Sequence, residues 1–217
     1  MEVKNKKVLF LGDSITEGSG VTLPEKCYVS VFEKISGANV KNYGIGGTRI
    51  AKQRVKSQCP EHDRNFISRV DEMDSEADIV VVFGGTNDFG HGDSAIGEFN
   101  SRDEYTFYGA MHLLCTKLLN KYPRAEIIFI TPLHRLSEDD KVNEIGIRNE
   151  TDLLGYVNII KEVAGYYSLP VLDLFNTSGI QPKVDIIRKI YMPDGLHPSD
   201  IGAEKLAIKI FNFLQSL

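Results

Sequence analysis

The chain has 217 residues, 42% of them hydrophobic and 25% charged, with a formal net charge of −5. That length and balance suit one globular domain, residues 1–217, with room for a sizeable core. The acidic balance argues against a nucleic-acid partner, which needs a dense basic stripe; the run Lys4-Asn5-Lys6-Lys7 reads as a solvated approach to the first strand.

Cys27, Cys59 and Cys115 are far apart, odd in number and form no CxxC pair, so neither a disulfide framework nor a zinc ribbon is expected. Cys27 and Cys115 fall in helical patterns and read as small core residues. A reduced, cytoplasmic setting is expected. The apolar stretch Val8-Leu9-Phe10-Leu11 is too short for a signal-peptide core, and it runs straight into Gly12-Asp13-Ser14. Nothing approaches the roughly 20 apolar residues of a membrane span.

In chain order, strands are predicted over 7–11, 39–43, 78–83, 126–131 and 170–172. Val80-Val81-Val82-Phe83 and Ile127-Ile128-Phe129-Ile130 are continuous apolar runs, as in strands covered on both faces. Helices are predicted over 25–36, 60–73, 104–122, 152–168 and 201–217. The 104–122 helix repeats Tyr105, Tyr108, Met111, His112, Cys115, Leu118, Leu119 and Tyr122 on one face, and the last helix repeats Leu206, Ile210, Phe213, Leu214 and Leu217, after Ser199 as N-cap. Alternating strands and helices predict an α/β fold, a doubly wound parallel sheet with helices on both faces. Ligands of such sheets bind outside the carboxyl ends of the strands. Ser14, Gly47 and Asn87 all fall just past a predicted strand.

Four short segments carry chemistry: Gly12-Asp13-Ser14, Asn42 to Gly47, Gly85-Thr86-Asn87-Asp88, and Asp194-Gly195-Leu196-His197-Pro198. A serine hydroxyl attacks a carbonyl only when a base takes its proton, and Ser14 sits in a strand-to-helix turn that presents it. Taken alone, Ser14 reads equally well as a helix cap, and Asp13 as a carboxylate holding the turn. Among the five histidines, His112 lies on an apolar helix face and His62 reads as a helix-surface residue, while His91 and His134 are placed in loops. His197 is the candidate base. Pro198 holds it extended, and Asp194, three residues earlier across Gly195, can reach its ring. Asn87 is a candidate donor to a developing oxyanion, or an Asx turn; a glycine of the 44–47 cluster and the Ser14 N–H are further donors. The glycine cluster lacks the lysine and spacing of a P-loop and does not match G-x-G-x-x-G. No cofactor and no metal is expected, there being no HExxH-type ligand spacing.

These four segments together resemble the SGNH hydrolase superfamily, which includes the GDSL esterases and lipases. The resemblance runs from residue 12 to 198, with Ile15 where Leu is commoner. It implies a flavodoxin-like five-stranded sheet, Ser14 as nucleophile, Asp194 and His197 completing a triad, and Ser14, Gly47 and Asn87 as oxyanion donors; Gly44 remains an alternative to Gly47. The activity it implies is hydrolysis of a small-molecule carboxylic ester through an acyl-enzyme. Segments 91–97 and 136–150 read as polar loops able to cover the site, which favours a small acyl group, such as acetyl, on a sugar or other polar alcohol. A lysophospholipase or thioesterase is the alternative within the class. A non-catalytic flavin- or nucleotide-binding domain is the alternative outside it, opposed by Asp13 and Glu17 where phosphate would sit. Oligomeric state leaves no mark on the sequence.

Overall fold

The computed structural model describes residues 1–217. Five strands, β1 (Lys7–Gly12), β2 (Asn39–Gly44), β3 (Ile79–Phe83), β4 (Glu126–Ile130) and β5 (Val171–Leu172), form one parallel sheet in the order β2-β1-β3-β4-β5. This is the flavodoxin-like order. The chain leaves β1 toward β2, then crosses back to lay β3 on the other side, so the topological switch point lies between β1 and β3. Gly12 pairs with Gly44 on one side and Phe83 on the other, which aligns the three carboxyl ends at one level.

Successive side chains on a strand face opposite sides, and the two cores follow from that alternation. Leu9, Leu11, Val80, Val82 and Phe129 point to one face, where they meet α5 (Phe107–Lys121), α6 (Leu153–Tyr166) and the segment around Phe66 and Val70. Val8, Phe10, Val81, Phe83, Ile128 and Ile130 point to the other, against α2 (Tyr28–Ser36) and α9 (Asp200–Ser216). Phe10 is clamped edge-on by Tyr28 and Phe32, with ring centroids 5.7 and 5.2 Å away. Burying such a side chain contributes about 1.5–3 kcal/mol. β3 is buried throughout and β2, at the edge, is largely exposed. That difference is why only the central strands read as unbroken apolar runs.

The expected helix over 60–73 is not continuous. It breaks into a 3-10 turn at Pro60–Asp63, a short helix α3 (Phe66–Arg69) and a second 3-10 turn at Val70–Glu72. Arg64 and Asn65 are extended, and Asn65 accepts from the Ser68 N–H at 2.9 Å, starting a new helix where the old one would have run on. The expected 25–36 helix likewise opens with a 3-10 turn at Pro24–Lys26 before Cys27 returns to extended geometry, so Cys27 caps α2 from outside it. Three short helices lie outside the expected set: α4 (Thr86–His91), α7 (Leu174–Thr177) and α8 (Asp185–Tyr191). Ser199 does cap α9, accepting from Gly202 N–H. No helix is long and apolar enough to cross a membrane.

Candidate active site

Ser14 is the first residue of α1 (Ser14–Glu17), directly beyond β1 at the switch point. The cap of this helix is Asp13 rather than Ser14: the Asp13 carboxylate accepts from Ile15 N–H at 3.0 Å. Ser14 Oγ is thereby left free to face the pocket. Asp13 is fully buried, and burial pushes its carboxyl up to about 7, against the Ile15 bond and the nearby Arg69 cation. Arg69 is itself buried; it donates to Gly12 O at 3.0 Å, Thr48 Oγ1 at 2.8 Å and Tyr43 O, binding the ends of β1 and β2 to the loop that follows.

Ser14 Oγ stands 3.0 Å from His197 Nε2, and His197 Nδ1 stands 2.7 Å from Asp194 Oδ2. The other Asp194 oxygen accepts from the Leu196 and His197 N–H groups at 2.8 and 2.7 Å. Gly195, at φ +81°, makes the tight arc that lets carboxylate and imidazole meet. Partial burial works against the Asp194 charge, but the hydrogen bonds from His197 and Leu196 outweigh it and hold the carboxyl below its ordinary range. An ionised carboxylate only accepts, so Nδ1 carries the proton and Nε2 is left to accept from the serine hydroxyl. The arc is pinned from outside by Leu136 N–H, which donates to Gly195 O at 2.8 Å.

The glycines at the end of β2 and just beyond it carry three N–H groups. Gly44 N–H is taken by Asn42 Oδ1 at 2.8 Å, and Gly46 N–H by Glu17 Oε2 at 3.0 Å. Gly47 N–H has no partner in the protein. Gly44 serves packing instead: a β-carbon there would stand 2.1 Å from the Glu17 amide nitrogen. Gly47 adopts φ +70°, and its missing side chain makes room for the His62 ring. The Ser14 N–H opens a helix, where no intrahelical acceptor exists. Asn87, on α4, donates from Nδ2 to Thr48 O at 3.0 Å and accepts at Oδ1 from His91 Nε2 at 3.1 Å. Ser14, Gly46, Gly47, Asn87 and His197 line one small cavity of about 320 Å³.

Several side chains sit elsewhere than the sequence reading puts them. His62 is not on a helix surface; it lines this cavity, with its ring centroid 5.8 Å from that of His91. His91 is not in a loop but ends α4, one helical turn after Asn87. Burial, then the Arg49, His62 and Arg135 charges, drive its pKa down to about 3. Arg49, only 3% exposed, donates to His91 Nδ1 and O and to His62 O. His91 escapes the sequence reading because α4 does not show in the pattern; with α4 in place, the i, i+4 spacing of Asn87 and His91 pairs them. His112 is buried in α5 as expected, bonded to Tyr167 Oη at 3.1 Å. His134 stays in a loop, stacked on Phe175 and bonded to Glu138.

A larger cavity of about 780 Å³ adjoins the first and shares His62, His91 and Glu144 with it. Its polar lining includes Gln53, Lys56, Ser57 and Asp93. The covering segment 136–150 is less polar than expected, since Leu136, Val142, Ile145 and Ile147 are all exposed on it. Ile145 and Ile147 join Val55 in lining the larger cavity. No group of three or more His, Cys, Asp or Glu stands together as metal ligands would.

The sequence matches the GDSL-like Lipase/Acylhydrolase family over residues 10–205. The chain belongs to this family. It is a GDSL-type carboxylic ester hydrolase. One solved chain is 34% identical at a TM-score of 0.86, the match covering 100% of this chain and 99% of that one. A protein from Lactobacillus plantarum is 29% identical at 0.82, over 99% and 98% of the two chains. An acetyl xylan esterase, AlAXEase, shares the fold at 23% identity and 0.66, over 96% and 99%. No curated protein is detectably similar in sequence.

Proposed function

We propose that this GDSL-like hydrolase forms one catalytic domain over residues 1–217 and cleaves its ester through an acyl-enzyme on Ser14. The observation that carries the reading is the unbroken chain Ser14 Oγ, His197, Asp194, at 3.0 and 2.7 Å, with Gly47, whose N–H is unpartnered, lining the same cavity as Ser14 and His197. Ser14 Oγ attacks the carbonyl carbon as its proton passes to His197 Nε2. Charge on the carbonyl oxygen is met by Gly47 N–H, Ser14 N–H and the free hydrogen of Asn87 Nδ2. Collapse expels the alcohol, which takes the proton from His197. A water, deprotonated by His197 in turn, attacks the acyl carbon and releases the acid and Ser14. Asp194 stabilises the imidazolium through both halves of the cycle. Asp13 supports Ser14 from below and takes no proton in these steps.

The small cavity at Ser14 has Leu196 as its one apolar lining residue. It fits a short acyl group, such as acetyl, with a polar alcohol extending over Gln53, Ser57 and Asp93 in the larger cavity. The acetyl xylan esterase among the structural neighbours is consistent with this. Val55, Ile145 and Ile147 favour a second reading, in which that cavity takes a longer acyl chain of a lysophospholipid or thioester. Rates on p-nitrophenyl esters from acetyl to dodecanoyl, beside acetylated sugars, separate the two: a fall with chain length supports the first. Ser14→Ala is expected to abolish hydrolysis with the melting curve preserved, and a fluorophosphonate adduct to map to Ser14 in the wild type. An adduct on another serine overturns the nucleophile assignment.

A further inference from the structure

We propose that Arg49 and His91 are positioning residues that hold the Asn87 amide with its N–H toward the substrate oxygen. This rests on reading Asn87 as an oxyanion donor, and it goes further by naming what orients that donor. An asparagine amide is nearly symmetric in shape, so packing alone does not decide which end faces the pocket. Polarity decides it here. A guanidinium only donates, so His91 Nδ1, 2.5 Å from Arg49 Nη2, has to accept, and the imidazole proton sits on Nε2. Nε2–H then donates to Asn87 Oδ1 at 3.1 Å. The Asn87 NH2 group is left to face Thr48 O at 3.0 Å with one hydrogen and the Ser14 cavity with the other. Turning the amide over would set two donors face to face at His91 and two acceptors face to face at Thr48.

Two further features fit a built relay. Burial and the Arg49 charge keep His91 neutral, so the tautomer does not change across the neutral range. Arg49 itself is a poor choice for stability: its guanidinium is buried, its nearest carboxylate is Asp63 at 4.0 Å, and its Nε has no partner. A buried cation without a close ion pair is costly; Asp88, Asp63 and Asp93 offset its charge at longer range, and its hydrogen bonds go to His91 and the His62 carbonyl. The backbone beside it is held to α4 by Asp88, whose two oxygens accept from Ile50 and Ala51 N–H at 3.0 and 2.8 Å. Arg49, His91 and Asn87 are thus fixed as one unit.

The test exchanges polarity at constant size. In His91→Gln the side-chain carbonyl can accept from Arg49 while the NH2 donates to Asn87 Oδ1. In His91→Glu both oxygens accept, so the carboxylate pairs with Arg49 and draws the Asn87 NH2 away from the substrate. His91→Gln is expected to keep kcat within about threefold of wild type, and His91→Glu to lose about 10²-fold with KM little changed. In an Asn87→Ala background the two variants are expected to have equal kcat, because His91 acts only through Asn87. Should His91→Glu melt too low to assay, Arg49→Met removes the donor that sets the tautomer and is read against Asn87→Ala in the same way. Equal kcat for Gln and Glu beside intact Asn87, or a Glu-specific loss that persists without Asn87, overturns the relay. Wild-type kcat in Asn87→Ala alone overturns the oxyanion reading beneath it.

Discussion

Asn87 is buried on a six-residue helix, and its side chain makes two hydrogen bonds to the protein while keeping one hydrogen free. A residue that only shaped the loop would, when truncated, lower the melting temperature and leave turnover near normal in whatever remains folded. A donor to the transition state behaves otherwise, since its bond strengthens only as charge builds on the oxygen. Asn87→Ala is therefore expected to reduce kcat by about 10²–10³ with KM nearly unchanged. Steady-state kinetics beside a melting curve separates the two, and a kcat close to wild type removes Asn87 from the machinery. At this scale the sequence is read well wherever the chemistry lies in a short local word. Ser14, Gly47, Asn87, Asp194 and His197 are named by their neighbours in the chain; Ser14, Gly47, Asn87 and His197 line one cavity, and Asp194 reaches it through the His197 ring. Arg49 and His62 are not, because each reaches the site through a contact between segments that periodicity does not reveal, and His91 is not, because the short helix that carries it leaves no periodic mark.

Elements were legible where burial was two-sided. Val80 to Phe83 and Ile127 to Ile130 read as strands because helices cover both faces of β3 and β4, and the 60–73 helix failed because Asn65 restarts it. What joins such fragments is side-chain chemistry, and Asp74 is the clearest case. It follows the 3-10 turn at Val70–Glu72 and pairs with Lys7 of β1 at 2.8 Å and Lys41 of β2 at 3.6 Å. It also accepts from Tyr43 Oη at 2.8 Å, while its backbone carbonyl accepts from Tyr122 at the end of α5 at 2.6 Å. The Lys7 and Tyr43 bonds lower its pKa from 3.8 to about 2. A carboxyl with a depressed folded-state pKa stabilises the protein above its unfolded value, and that contribution fades as pH falls toward the folded one. Asp74→Asn is accordingly expected to melt below wild type at pH 7, with the gap closing as pH falls from about 4 toward 2. A gap independent of pH would assign the loss to packing rather than charge. Asp74 and Lys7 are half-buried and Lys41 is exposed, so salt reaches the cluster and the gap at pH 7 should also shrink in high salt.

On the whole molecule, the switch point between β1 and β3 concentrates groups that the fold would be easier to build without. Asp13, Asp88 and Arg49 are withdrawn from water, and His91 is half-buried, within a few residues of Ser14, Gly47 and Asn87. Burial raises the Asp88 carboxyl to about 6, even against its bonds from Ala51 and Ile50. His91 has the opposite sign. Unfolded, its imidazole takes up a proton near its ordinary pKa of about 6.5. Folded, burial and the Arg49, His62 and Arg135 charges delay that uptake to about 3. The unfolded state therefore binds more protons between those values, and stability present above the unfolded pKa is lost as pH falls through the window. Removing the imidazole removes that loss whatever Asp13 and Asp88 contribute, because both carboxyls remain. The melting temperature of His91→Gln is expected to rise relative to wild type as pH is lowered from 7 to 4, even if the variant starts below it. Calorimetric scans at several pH values in that interval check the sign. Parallel curves would mean that His91 takes up its proton in the folded protein near the ordinary imidazole pKa. The tautomer that orients Asn87 would then not be fixed by burial, and the ring could donate from both nitrogens, in direct conflict with its contact to the Arg49 guanidinium.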